Sequence, residues 1–237
     1  QSDVTDLILE AAIWGAPMAE LALIDQPIAA QLSQGEEKLV SLGVMEQSNK
    51  ISDFGRQVHA LGGNANIAIM LLKSAQLSDA HQSLACALAA LLESKDPLPQ
   101  AQTVEVTPRL VFLLKNKQHS MWQLIKQWHR KQNIPLVDWP LQDISILLAF
   151  GFVHWIAKHR SEARFSLANG SGAVLHAEDE LLRHLGQQST TQNNGRWLVV
   201  ANMQLTDKQS DSALIRYAEP IQFEHLKTYF PELFTRN

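Results

Sequence analysis

Cysteine occurs once in the 237 residues, as Cys86, so the chain can form neither an intramolecular disulfide nor a multi-cysteine metal site. No apolar run approaches the roughly 18 residues that a membrane helix needs. The amino-terminal stretch Gln1-Ser2-Asp3-Val4-Thr5-Asp6 is too acidic and polar for a signal peptide. These absences point to a soluble protein of a reducing, cytoplasmic compartment with no membrane partner. An initiator methionine is also missing, which suggests a processed or excised piece. Catalytic signatures are absent as well. There is no Gly-x-x-x-x-Gly-Lys-Ser/Thr phosphate loop, and no Gly-x-Gly-x-x-Gly follows a strand. The nine histidines never form a His-x-x-x-His pair, and His154 and His159 are five apart, so no metal site is expected. Cys86 lies on an apolar helix face and reads as core rather than nucleophile. Glu178, Asp179 and Glu180, next to His176, read as solvated acids at a helix start.

The chain does have ordinary globular composition, 46% hydrophobic and 19% charged, enough for one large domain or two to three small ones. Its net charge of −4 is unevenly spread. Residues 1–57 hold three Lys/Arg against nine Asp/Glu, residues 58–160 ten against six, and residues 161–237 seven against nine. Between Glu105 and Asp138 there is no acid, while Arg109, Lys115, Lys117, Lys126, Arg130 and Lys131 all fall there. An acidic protein with such a stretch can still present a surface to a polyanion, with Trp122 and Trp128 available for stacking. The competing reading is a solvated helix face with both tryptophans in the core. Lys158-His159-Arg160 and Arg164 form a second, smaller cluster.

Periodicity predicts an α+β, mainly α chain in three parts. Over 1–57, two helices, the second opening at Pro27, precede a short hairpin made of 44–46 and 49–51, a winged-helix-like pattern. Gly43 and Gly55 should serve caps and turns, Ser52 should cap the next helix, and Phe54 and Trp14 should pack the block. Over 58–160 the pattern is a helical bundle. Ser78 caps one of its helices, and Thr107 caps a longer one that runs unbroken through 109–131. Over 161–237 the period turns to alternation, with Asn169-Gly170 as a hairpin turn. Four strands, an abrupt ending and a polar linker over 187–194 suggest a truncated, open barrel of the oligonucleotide/oligosaccharide-binding (OB) type.

Several motifs resemble one family. Asp6-Leu7-x-Leu9-Glu10-x-Ala12-x-Trp14-Gly15 and Leu23-Ile24-Asp25-x-Pro27 open the match. Ile51-Ser52-Asp53-Phe54-Gly55-Arg56-Gln57-Val58-His59-Ala60-Leu61-Gly62 continues it. Arg164-Phe165-x-Leu167-Ala168-Asn169-Gly170-x-Gly172-Ala173 and Trp197-Leu198-Val199-Val200-Ala201 complete it. In order and content these resemble the region following the motors of bacterial HrpB-type DEAH-box ATP-dependent RNA helicases. Two departures stand out: Asn64-Ala65-Asn66 replaces a Pro-containing turn, and the stretch from His176 to Arg196 is longer than usual.

The resemblance implies winged-helix, ratchet-like bundle and OB-like accessory domains that line an RNA channel without catalysis of their own. RecA-like motors would lie upstream in the same polypeptide and bind ATP and Mg, with no cofactor in this chain. Single-stranded RNA is the expected partner, with DNA as the second option. Lys115, Lys126, Arg130, Lys158, Arg160 and Arg164 are the expected RNA-binding residues. Two rivals stay open. One is a winged-helix transcription regulator, which the acidic first block opposes. The other is a protein-interaction scaffold, whose binding would survive high salt.

Overall fold

The computed structural model describes residues 4–15, 29–48, 50–187, 196–205 and 212–234. The predicted start of the second helix at Pro27 and the linker over 188–194 lie outside the described residues, whereas the body of that helix is described from Ala29 onward. The chain divides into two compact units, Gln1–Leu72 and Lys73–Asn237.

The first unit holds α1 (Val4–Trp14), α2 (Ala29–Ser41), α3 (Asp53–Leu61) and most of α4 (Ala65–Ser74). Helices α2 and α3 both pack on α1. Gly35 lets α1 and α2 approach, since a Cβ there would lie 2.5 Å from Ile8. Gly43 has a φ of +74° and donates its N–H to Val40, which turns the chain out of α2. The expected pair of short strands is reduced to one antiparallel bridge, Met45 to Ile51. Ser52 then caps α3, its Oγ accepting the Gly55 N–H at 2.9 Å and donating back to the Gly43 and Val44 carbonyls. Asn64 starts α4 by accepting the Asn66 and Ile67 amides, and Asp6 accepts that of Ala65. Asn64 thus caps α4 where the sequence has no proline. Trp14 departs from expectation: it is 80% exposed, whereas Phe54 is half-buried.

In the second unit α5 (Asp79–Leu92) is the central helix, with every residue from Ser83 to Leu91 buried. Each fully buried leucine contributes about 1.5–3 kcal/mol, so this one helix anchors much of the unit. Ser78 caps it as expected. Cys86 is fully buried there, and burial pushes its thiol up to about 12. The long basic helix is in fact two, α6 (Val106–Lys115) and α7 (Met121–Gln132). Asn116 ends α6 by donating its side-chain amide to the Phe112 carbonyl and its N–H to Phe112 and Leu113. Thr107 does not cap α6 but lies in its first turn. Helix α7 packs on α5, and α8 (Ile144–Phe152) on both α5 and the sheet.

The sheet contains β1 (Ile156–Ser161), β2 (Arg164–Leu167), β3 (Gly172–Val174), β4 (Trp197–Leu205) and β5 (Ser212–Ile221). They close in the order β1-β2-β3-β5-β4, with β3 and β5 parallel and the other pairs antiparallel. The expectation of four strands in an open sheet is therefore corrected. Residues 156–161, read as the tail of a helix, form the fifth strand, which pairs with both β2 and β4 and closes the barrel. The barrel core is Ala157, Phe165, Leu167, Leu198, Val200 and Ile215. Helix α9 (Glu180–Gln187) adds Leu181 and Leu185 to that core. After β5 follow α10 (Phe223–Tyr229) and a 3₁₀ turn, Pro231–Phe234. The expected joints at 57/58 and 160/161 fall inside α3 and β1.

Candidate nucleic-acid interface

On α7, Lys126 and Arg130 are four residues apart, share a helix face and are both exposed. Lys115 is exposed at the end of α6, on the other side of the break at 116–120, so the two helices do not continue one basic stripe. Both tryptophans of the stretch are core. Trp122 is 4% exposed, stacks on Trp139 and donates its indole N–H to the Leu113 carbonyl. Trp128 donates to Glu93. Lys117 and Lys131 lie over these rings, 4.2 Å from the Trp122 centroid and 4.8 Å from that of Trp128. Neither tryptophan is available to stack on a base.

Arg109 drops out of the basic surface altogether, being only 4% exposed. Its guanidinium grips Asp96 through Nε and Nη2, donates through Nη1 to the Thr103 and Glu105 carbonyls, and covers the Tyr217 ring. Leaving either partner of such a buried pair alone costs about 3–5 kcal/mol, so Arg109 belongs to the frame. The same seam explains two acids. Glu219 of β5 accepts the Val106 and Thr107 amides and the Thr107 hydroxyl, placing a carboxylate at the start of α6. Asp179, read from sequence as solvated, is buried and accepts the Val104 and Leu181 amides. Burial pushes both carboxyls above their ordinary values. A groove of about 610 Å³ opens here, lined among others by Asp96, Glu178, Asp179, Arg109 and Arg216. With Arg109 already paired, its acidic lining does not suit a polyanion.

The barrel wall does bring predicted residues together. Alternation along β1 turns Ala157 into the core and Lys158 outward, and Arg160 is exposed at a β-bulge between His159 and Ser161. Lys158 pairs with Ser166, two residues from Arg164 on the outward face of β2. Lys158, Arg160 and Arg164 are all exposed. Lys158 also pairs with Trp197 of β4, and its Nζ lies 5.3 Å from that ring. Trp197, which the sequence reading does not single out, stacks on Phe223 at 6.1 Å, and Phe234 meets both rings edge-on. Lys227, one turn along α10, lies 5.1 Å from the Phe223 ring. The signal for Trp197 is nevertheless present in the strand: it has the opposite parity to core residues Leu198 and Val200.

Among the described residues, no cluster of three or more His, Cys, Asp or Glu could hold a metal ion, and no helix is long and apolar enough to cross a membrane.

No family model matches the chain. It is 28% identical over 235 residues to the ATP-dependent RNA helicase HrpB of Escherichia coli K12, covering 98% of this chain and 26% of that protein. The crystal structure of the E. coli DExH-box NTPase HrpB superposes with a TM-score of 0.76 at 28% identity, covering 98% of this chain and 26% of the other. That of the E. coli DEAH/RHA helicase HrpB gives 0.71 at 27% identity, covering 94% and 26%. The chain thus spans about a quarter of the length of these relatives. Motifs, overall identity and backbone agree, and the chain is related along nearly its whole length to the C-terminal part of HrpB-type DEAH-box helicases.

Proposed function

We propose that this chain is the non-catalytic accessory region of an HrpB-like ATP-dependent RNA helicase, which lines one side of an RNA channel and couples motor movement to strand passage. The observation that carries the reading is the relation to HrpB along 98% of the chain. The barrel supports it: strand order 1-2-3-5-4 with a helix between β3 and β4 fits an OB-like domain. The helices and bridged hairpin of the first unit are consistent with a winged-helix module, and α5 to α8 with the ratchet-like bundle. RecA-like motors elsewhere in the polypeptide would bind ATP and Mg, and this chain would supply no cofactor site.

Single-stranded RNA is the partner this reading assigns, with contacts by Lys158, Arg160 and Arg164 on the barrel, Lys126 and Arg130 on α7, and Lys115 at the end of α6. Phosphate neutralisation makes such binding fall steeply with salt, and with one wall of a channel present a Kd of about 10⁻⁴–10⁻⁶ M is expected. The test is titration of labelled single-stranded RNA with the chain and with a Lys126→Ala, Arg130→Ala, Arg164→Ala variant. Weaker binding with a shallower salt slope supports the reading. Unchanged strength and slope would place the RNA surface elsewhere, and binding that ignores salt would favour a protein-interaction scaffold.

A further inference from the structure

We infer that Trp197, Phe223 and Phe234 form a base-stacking platform on the outer barrel wall, flanked by Lys158 and Lys227, that holds one or two nucleotides of a single strand; this rests on the RNA reading above. Val199 shares the outward face of β4 with Trp197 and is fully buried, for α8 packs on this strand. At Trp197 the cover stops. Trp197 and Phe223 keep part of their surface in solvent, and Phe234 is 41% exposed. Three rings in mutual contact that remain open to water are an unusual use of aromatic surface, because full burial would stabilise the fold more.

The charge beside them selects the occupant. Lys158 and Lys227 place ammonium groups over the Trp197 and Phe223 rings, and Arg160 and Arg164 continue the positive surface outward along β1 and β2. The acids nearby in sequence are Glu162, Glu219, Glu224 and Glu232, of which Glu219 is turned to the start of α6, where it accepts from Val106 and Thr107, and Glu224 is tied to Lys227 at 2.8 Å. A ligand that offers flat π-faces and a row of negative charges matches both halves of this surface. A single-stranded nucleic acid has that chemistry: bases stack on the rings while phosphates follow the cations.

The experiment titrates an oligouridylate of about a dozen nucleotides with the chain and three variants. Phe223→Leu keeps apolar packing but removes a ring, Phe234→Ala trims an exposed one, and Arg160→Ala/Arg164→Ala removes charge only. Thermal melts accompany each, so a folding defect is seen directly. The platform predicts a loss of roughly fivefold or more for each aromatic variant at an unchanged salt slope. The arginine variant should lower the slope by about 0.7 for each phosphate that it leaves without a cation. Quenching of tryptophan emission by the oligonucleotide should fall in Trp197→Phe. If the arginine variant weakens binding while the aromatic variants bind like the parent, the RNA reading stands and the platform is wrong. If the parent chain does not bind, both fall.

Discussion

Gly55 illustrates how one residue sets a local packing distance. A Cβ added there would lie 2.1 Å from the Val44 carbonyl oxygen and 2.7 Å from Ile51, and the first of these is backbone that cannot swing aside. Gly43, by contrast, would meet nothing within 4 Å and is constrained only by its φ of +74°. Gly55→Ala should therefore destabilise the first unit by about 3 kcal/mol, whereas Gly43→Ala should cost about 1–2 kcal/mol from backbone strain alone. Urea melts of the two variants check the order, and equal midpoints would mean that α3 can shift away from Val44 at little cost. The caps at Ser52 and Ser78 are legible in the sequence because a cap is a short-range hydrogen bond, written within three residues. Trp14 is not, since helical spacing alone does not say what, if anything, covers a ring at the helix end.

At the scale of elements, the seam between α6 and β5 joins residues more than a hundred positions apart. Glu219 accepts three hydrogen bonds there, yet burial outweighs them and raises its carboxyl above the ordinary 4.5. Below about that pH the group is protonated in both folded and unfolded chains and contributes no pH dependence. As pH rises past it, the unfolded chain releases the proton first, so this group makes stability fall until the folded carboxyl also ionises. Glu219→Gln keeps the shape and the acceptor without the charge. Its stability relative to the parent should therefore move in the variant's favour as pH rises past the ordinary carboxylate value of 4.5, as read by denaturant melts at a series of pH values from there upward. A parallel pH course for both proteins would show that another acid, with Asp179 the first candidate, carries the effect. The α6–α7 break has a different origin: Asn116-Lys117-Gln118-His119-Ser120 contains neither proline nor glycine. The break is made by Asn116 folding back on Phe112 and by the Phe112–His119 ring contact, neither of which periodicity reports.

On the scale of the molecule, the chain covers about a quarter of the length of its helicase relatives, and the proposed function puts ATP chemistry outside it. The purified chain should neither bind nor hydrolyse ATP, with or without RNA. Phosphate release above the level of a mock purification, or a nucleotide-induced shift in melting, would contradict that assignment.

The sequence by itself determined the helical and strand segments with strong periodicity, the caps at Ser52 and Ser78, the Asn169-Gly170 turn and the similarity to HrpB, because these depend on neighbours within a few residues or on motif order. Tertiary structure alone decided that residues 156–161 close the barrel, since strand status there comes from partners on β2 and β4 rather than from local alternation. It also decided which cations face water. Arg109 and Lys126 look alike in a basic run, but the first is held by Asp96 and the second is exposed. Charge counts along a chain carry no direction, and only packing turns Lys158 and Arg164 to the outer side of the wall, exposes Arg160 at the bulge and sets Trp197 beside Lys158.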